Sequence, residues 1–214
     1  MTDEALDLLI CRLNSGDLIG QAFIQPLKDN VYVGLVWPEL PKGEVFGEQG
    51  YTMFFIRGDA GPFVAIVLDM GAGDIHIYLQ REHRGKGLME RALKDVILPF
   101  LFKSGRPEQK VTFARQGVGR FLQRLGFRLT SESTASLTPT DLPTVDVPVP
   151  VFTKLDATRA ESLKQRVWQA AGLARICRDE LKAVGRDDYA AELDTLAHDL
   201  VDLGSEVGDL GQTG

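Results

Sequence analysis

Three short apolar runs separated by glycine-containing turns constrain the fold of this chain more than any other feature of its sequence. The runs are rich in aromatic and β-branched residues and cover 51–56, 63–68 and 75–79, with turns at 57–62 and 71–74. Runs of this length and composition favour β-strands, and a short glycine-containing loop joins neighbouring strands as a hairpin. The sequence therefore predicts an antiparallel meander of three strands.

The spacing of apolar residues becomes helical after Gly87. Apolar residues recur three and four apart over 88–101, and Pro99 predicts a kink or an end to this helix. The elements predicted after it are a strand at 110–114, a helix at 118–125 that stops at Gly126, and a strand at 127–130. This order after a meander indicates an α/β or α+β layer fold, and we expect the meander to continue into a partly parallel sheet.

The N-terminal region begins with a helix and then becomes irregular in pattern. Residues 3–13 have helical spacing, with Thr2 as the N-cap and a stop at 14–16. Residues 17–50 contain short apolar runs interrupted by prolines and glycines. This region is predicted to form loops, a short helix and one strand.

The C-terminal region divides into a linker, a helical hairpin and a tail. Residues 131–155 are rich in Ser, Thr and Pro, which is typical of an extended linker or an edge segment. Beyond them, Asp156 caps a helix and a turn at 185–187 leads into a second helix. One apolar seam runs along each helix: Leu163, Val167, Ala170, Ala174, Cys177, Leu181 and Val184, then Tyr189, Leu193, Leu196, Leu200 and Leu203. The predicted organisation is a domain over 1–135, a linker over 136–155, a hairpin over 156–204 and a disordered tail over 205–214.

The charge and the cysteine content limit which compartment and which partners we expect for this protein. The formal net charge is -6, and residues from Asp156 onward carry 12 Asp and Glu against 7 Lys and Arg, so no nucleic-acid partner is expected. Two cysteines, Cys11 and Cys177, favour a reducing compartment and do not make a zinc site. The acidic start lacks the features of a signal peptide, and no apolar run is long enough for a membrane span. We therefore expect a soluble, cytoplasmic protein.

The segment with the clearest chemical signal is the loop between the strand ending at Leu79 and the helix opening at Leu88. Its sequence, Gln-Arg-Glu-His-Arg-Gly-Lys-Gly over 80–87, is basic and contains two glycines. The start of a helix leaves backbone N–H groups unpaired, and glycines let a phosphate approach them closely. The sequence predicts a phosphate or pyrophosphate site here, although neither GxxxxGK[ST] nor GxGxxG is present. The alternative is a basic surface turn.

The segment IYLQREHRGKGLMERALKDVILPFL over 77–101 resembles motif A of the GNAT acetyltransferases. That motif is a strand, then Arg/Gln-x-x-Gly-x-Gly/Ala, then a helix; Arg84 and Gly87 match it, and Met89 replaces its usual small residue. Residues 121–127 resemble the Tyr-x-x-x-Gly-Phe segment that closes the family's fifth strand. The resemblance covers about 5–135 and implies a GNAT-like, mostly antiparallel central sheet flanked by helices.

The resemblance also implies a cofactor and a reaction. Acetyl-CoA, or another acyl-CoA, would lie between the strand ending at Leu79 and the strand at 110–114, and no metal is implied. An amine on a small molecule or a protein would attack the thioester directly in a ternary complex. The residues implied to hold the cofactor are Leu79, Gln80, Arg81, Arg84, Gly85, Lys86, Gly87, Leu88 and Met89.

The chain departs from the family at the slots for catalytic side chains. The general acid of the family is a Tyr, and Leu122 occupies its slot, while Arg115 stands where Asn is frequent. His76 and Tyr78 are weak candidates for proton transfer, and the alternative for them is an ordinary role in the sheet. Two hypotheses follow: an N-acyltransferase, or a catalytically inactive GNAT-like module used for binding or assembly. The hairpin at 156–204 is expected to be a homo-oligomer interface, a docking surface for a partner, or a pair of helices packed on its own domain.

Overall fold

The computed structural model describes residues 1–18, 21–38, 50–58, 61–142, 146 and 156–211, with the backbone alone at Gln116. The chain divides into two compact units, Met1–Pro150 and Val151–Gly214. The first is a mixed α+β unit and the second is a pair of helices. No helix in these described ranges is long and apolar enough to cross a membrane.

A five-stranded antiparallel sheet forms the centre of the first unit. Its strands are β1 (Ala22–Lys28), β2 (Val31–Val36), β3 (Tyr51–Arg57), β4 (Phe63–Asp69) and β5 (Ile75–Leu79), and they lie in that order. Strands β3 to β5 confirm the predicted meander. The prediction for 17–50 is wrong where it is described, because a strand pair replaces the single strand and no helix forms in 17–18 or 21–38. Pro26 is tolerated in β1 because β1 is an edge strand.

Helix α1 (Asp3–Ser15) covers one face of this sheet. The Ala5 N–H donates to Thr2 Oγ1 at 3.3 Å, and Gly16 ends the helix with a φ of 84°, as predicted. Buried side chains of α1 and of the sheet form one apolar cluster, which includes Leu6, Leu9, Ile10, Met53, Phe55, Ile66 and Leu68.

The opposite face of the sheet packs against the helix that follows Gly87. This helix comprises α2 (Leu88–Ala92), a π-helical turn (Leu93–Ile97) and α3 (Leu98–Lys103). It does not end at Pro99, because the π turn changes the hydrogen-bond register just before the proline, with the Leu98 N–H donating to Leu93 O. The core on this side includes Phe54, Ile56, Val67, Met89, Leu93 and Ile97.

A second, three-stranded sheet completes the first unit. It contains β6 (Gln109–Thr112), β7 (Arg128–Leu129) and β8 (Thr134–Leu137) in the order β6-β8-β7, with α4 (Gln116–Arg124) between β6 and β7. All described pairings are antiparallel, so the expected partly parallel continuation is wrong. The boundary predicted at residue 135 falls inside β8, whose Ala135 and Leu137 are fully buried.

The second unit is the predicted helical hairpin of α5 (Ala157–Ala183) and α6 (Asp187–Leu210). Asp156 caps α5 by accepting the Arg159 N–H at 2.8 Å, and Gly185 in the turn has a φ of 74°. The predicted disordered tail is wrong for 205–210, which continue α6. Residues 212–214, and the linker at 143–145 and 147–155, lie outside the described residues.

Candidate functional site

The loop between β5 and α2 exposes its backbone. It forms a single 3₁₀ turn over Arg81–His83, and Gly85 and Gly87 then take φ values of 77° and 71°. Such left-handed conformations favour glycine. A Cβ built on either glycine meets no atom within 4 Å, so the space in front of the loop is open.

The start of α2 has unpaired backbone donors. No side chain caps the helix at Gly87, and the first helical hydrogen bond runs from the Arg91 N–H to Gly87 O at 3.0 Å. The N–H groups of Leu88, Met89 and Glu90 therefore lack an acceptor within the helix. The Met89 side chain is buried in the core at 6% exposure, so replacement of the family's small residue leaves the backbone accessible.

Positive charge surrounds these donors. Arg81, Arg84 and Lys86 are all exposed, and the positive end of the helix dipole adds to their potential. Arg84 also folds the loop back on the strand, because its Nε donates to Leu79 O at 3.0 Å. The predicted residues from Leu79 to Met89 are thus together in one short surface segment that can accept an anion.

The backbone N–H of Leu79 points out of the edge of the five-stranded sheet. The Gln80 N–H donates to Val64 O at 3.1 Å, and successive residues of a strand point their N–H groups to opposite sides. The Leu79 N–H therefore points away from β4, towards the free edge of β5. This edge can pair with an added extended chain.

Hydrogen bonds join the second sheet to the turn that precedes β5. The Lys110 N–H donates to Ala72 O at 2.9 Å and the Thr112 N–H to Asp74 Oδ1 at 3.2 Å, in the turn before β5. No backbone ladder joins β5 to β6 within the described residues. The two strands are therefore held together where β5 begins and are unpaired towards Leu79.

A polar cluster fixes this junction. Arg106 Nη2 donates to both carboxylate oxygens of Asp69, at 2.9 and 2.8 Å, and Arg106 Nη1 donates to Gly71 O at 3.3 Å. Gln109 is fully buried, accepts from Arg106, and donates to Lys110 O at 2.7 Å. The side chains of Arg106 and Asp69 are 14% and 12% exposed, so their charges are largely removed from water.

Asp69→Asn is expected to lower the free energy of unfolding by about 2–3 kcal/mol, because it leaves the Arg106 guanidinium without its carboxylate. Chemical denaturation measures the loss. Glu108→Gln is the matched control, since the Glu108 carboxylate pairs with Lys110 at the surface and the loss of that pair is worth about 0.5 kcal/mol or less. Equal stabilities of the two variants would contradict the role of the cluster.

The side chains of His76 and Tyr78, and of Gln80 just after β5, contact helix α1 and do not project into an open cleft. His76 Nε2 lies 2.8 Å from Asp3 Oδ1, and Gln80 Nε2 donates to Asp7 Oδ1 at 3.0 Å. Burial, followed by its hydrogen bond to Asp7, raises the pKa of Tyr78 to about 12. The sequence did not single out Asp3 or Asp7, which lie within the helix predicted over 3–13.

The raised pKa of Tyr78 predicts that its phenol titrates above the ordinary range of tyrosine. Tyrosinate absorbance attributable to Tyr78 should appear at a pKa of about 12, whereas ordinary tyrosines ionise near 10. Because the folded pKa exceeds the unfolded one, this group stabilises the fold below about pH 10, and that contribution is lost as pH rises towards 12.

The difference between the wild-type protein and Tyr78→Phe isolates this titration, and Asp7→Asn should move it back towards the ordinary value. Tyr51→Phe is the control, because Tyr51 is 46% exposed. A Tyr78 midpoint near 10 in protein that circular dichroism shows to be folded would contradict the assignment.

The remaining predicted positions do not supply a catalytic group. Leu122 is fully buried in the core, so the slot of the family's general acid faces apolar side chains. Arg115 is exposed at the start of α4. Within the described residues, no cluster of three or more His, Cys, Asp or Glu side chains could hold a metal ion.

Comparison with known proteins gives no relative for this chain. No family model matches it, and neither a curated protein nor a solved structure shows significant similarity to it. The functional interpretation therefore depends on the geometry of the loop, on the edge of β5, and on the resemblance in motif.

Proposed function

We propose that the first unit is an acyl-CoA-binding N-acyltransferase domain of the GNAT type, which transfers an acetyl group to an amine. The observation that carries the proposal is the uncapped start of α2, with Gly85 and Gly87 leaving open space before three unpaired N–H groups. A diphosphate satisfies such donors and is held further by the exposed Arg81, Arg84 and Lys86.

The free edge of β5 supports the position of the rest of the cofactor. A pantetheine arm contains two amides, and it can pair with the outward backbone of Leu79 as an added strand does. Within the described residues no backbone ladder joins β5 to β6, so β6 does not occupy the backbone edge at Leu79 with which that arm would pair. The outward N–H of Leu79 can then donate to the thioester carbonyl as charge develops on its oxygen.

The reaction needs the loss of one proton and the departure of one thiolate. The amine nitrogen attacks the thioester carbon, the carbon–sulfur bond breaks, and the amine gives up a proton. His76 is the sequence's candidate acceptor of that proton, and it could act only after its 2.8 Å contact with Asp3 opens. Tyr78 would be a poor acid because its pKa is about 12, far above that of an ordinary thiol at about 8.5. The thiolate therefore leaves unprotonated, and the chemistry relies mainly on positioning.

Calorimetric titration with acetyl-CoA, CoA and 3′-dephospho-CoA tests the cofactor assignment. Acetyl-CoA should bind with a dissociation constant in the micromolar range, and all three should compete for one site. Absence of heat and of any thermal shift at millimolar acetyl-CoA would reject it. Release of free thiol in the presence of a panel of amines then tests transfer, independently of binding.

The second candidate is a GNAT-like module without catalysis, used for binding or assembly. It is favoured by the burial of Leu122 at the slot of the general acid and by the engagement of Tyr78 with Asp7. Binding of acetyl-CoA without thiol release over the whole amine panel would select this candidate. Thiol release that depends on the amine and is reduced in His76→Gln would select the enzyme.

A further inference from the structure

The two helices of the hairpin contact each other through small residues. An added Cβ at Gly204 would lie 2.6 Å from the Trp168 ring, so a larger residue would require that ring to move. The fully or almost fully buried residues of the hairpin are Ala160, Ala171, Ala190, Ala197 and Gly204. The exposed members of the two predicted seams, such as Val184, Leu196 and Leu203, therefore lie outside this closest contact.

The large apolar residues of α6 lie in a stripe on its surface. Tyr189, Leu196, Leu203 and Leu210 are spaced seven residues apart and are 49%, 48%, 48% and 60% exposed. Because seven residues make almost two helical turns, these side chains share one side of the helix. The half-buried Leu193, Leu200 and Val207 lie between this stripe and α5.

Helix α5 continues the same apolar surface. Leu181 and Leu193, with Tyr189 and Leu196, line a concavity of about 540 Å³ across the two helices. Val184 is 69% exposed at the same end of the hairpin. We call this surface, formed by Leu181 and Val184 of α5 and the stripe of α6, the apolar face.

The two helices beside the apolar face have opposite charge. Helix α5 has six Lys and Arg against three Asp and Glu, whereas α6 has eight Asp and Glu and no Lys or Arg. Along α6, Glu192, Asp199 and Glu206 are interleaved with the apolar stripe at the same seven-residue spacing. A surface that fits this face is therefore apolar in the middle and basic where it meets α6.

In a second copy of the chain, α5 is the basic helix beside the same apolar face. From the apolar stripe and the charges of the two helices, we infer that the apolar face binds the same face of a second copy, with α5 of each copy over α6 of the other. A two-fold axis parallel to the helices gives this pairing, and every neighbouring helix pair is then antiparallel, as in a four-helix bundle. A two-fold axis perpendicular to the helices would instead place α6 of one copy against α6 of the other, which brings two strongly acidic helices together. This inference is independent of the proposed acyltransferase function.

Sedimentation equilibrium of the full chain tests the inference. The wild-type protein should be a dimer of about twice its 23.6 kDa mass at micromolar concentration. Leu196→Asp/Leu203→Asp should weaken dimerisation by at least about a hundredfold while circular dichroism shows the helices intact.

The matched control is Ile176→Asp, because Ile176 is 64% exposed and lies about 160° around α5 from Arg178, which contacts Asp194 of α6. It should remain a dimer. A monomeric wild-type protein at the highest concentration, or a double variant that remains dimeric, would overturn the inference; the first result would indicate a different protein as the occupant of the face.

The pairing of the helices has a separate test. Asp199→Lys/Glu206→Lys should weaken the dimer by roughly tenfold if α6 faces the basic α5, and should strengthen it if α6 faces α6. Asp202→Lys/Asp209→Lys makes the same change of charge about 60° further around α6 from the apolar stripe and should have a smaller effect. A stronger dimer in the first variant would overturn the proposed pairing.

Discussion

Gly87→Glu is expected to weaken the binding of acetyl-CoA by at least about a hundredfold, a loss of about 3 kcal/mol. Gly87 has a φ of 71° and immediately precedes the three unpaired N–H groups of α2. A glutamate there adds a side chain and a negative charge where the diphosphate would lie. Each charge-assisted hydrogen bond that is lost contributes about 1.5–3 kcal/mol, so the loss of two accounts for the effect.

Gly105→Glu is the matched control for this experiment. Gly105 is also exposed, has a φ of 95° and has open space around its Cβ position, but it follows α3 at the far end of the helix. Both variants therefore carry the same added charge and similar backbone strain. Calorimetry should give Gly105→Glu the wild-type affinity. Equal affinities in the two variants would show that acetyl-CoA does not bind at the loop before α2. The main support for the proposed function would then be lost.

Local signals in the sequence were sufficient for the meander, for α1 and for the hairpin. Strands β3 to β5 combine apolar composition with turns at both ends, and α1 and α5 begin at side-chain caps on Thr2 and Asp156. These features act within a few residues of each other, so no knowledge of tertiary contacts is needed to predict them. Gly85 and Gly87 are also local signals, because a positive φ depends on the residue itself and not on distant contacts.

The strands β1 and β8 were missed because their stability comes from partners distant in sequence. Strand β1 contains Pro26, which a central strand would not accept but an edge strand does. Strand β8 has only the residues Thr-Ala-Ser-Leu, and it becomes the centre of a sheet by pairing with both β6 and β7. Four residues in a Ser- and Thr-rich segment give too short a pattern for prediction.

The contacts around His76 and Tyr78 could not be predicted for the same reason. Asp3 and Asp7 lie about seventy residues earlier in the chain and meet β5 only because α1 packs across the sheet. The predicted seams of the hairpin did not include Ala160, Ala171, Ala190, Ala197 and Gly204, which are the most buried residues of its two helices. Periodicity identifies an apolar side of a helix, but the size of the residues decides which helix it faces.

Phe54→Ala is expected to lower the free energy of unfolding of the first unit by about 3–5 kcal/mol. Phe54 is fully buried, and its ring meets that of Phe100 edge-on, with centroids 5.7 Å apart. Its side chain packs between β3 and the helix that begins at Leu88, so alanine leaves a cavity there. Urea denaturation followed by Trp37 fluorescence, in a Trp168→Phe background, reports on the first unit.

Tyr51→Ala on the same strand is the control for that loss. Tyr51 is 46% exposed, so its removal should cost less than about 1 kcal/mol. Because Phe54 supports the helix whose first turn supplies the unpaired N–H groups, Phe54→Ala should also weaken acetyl-CoA binding at temperatures where the protein is still folded. A variant with wild-type stability would show that the helix after Gly87 is not held by β3, and the geometry of the loop would then need another support.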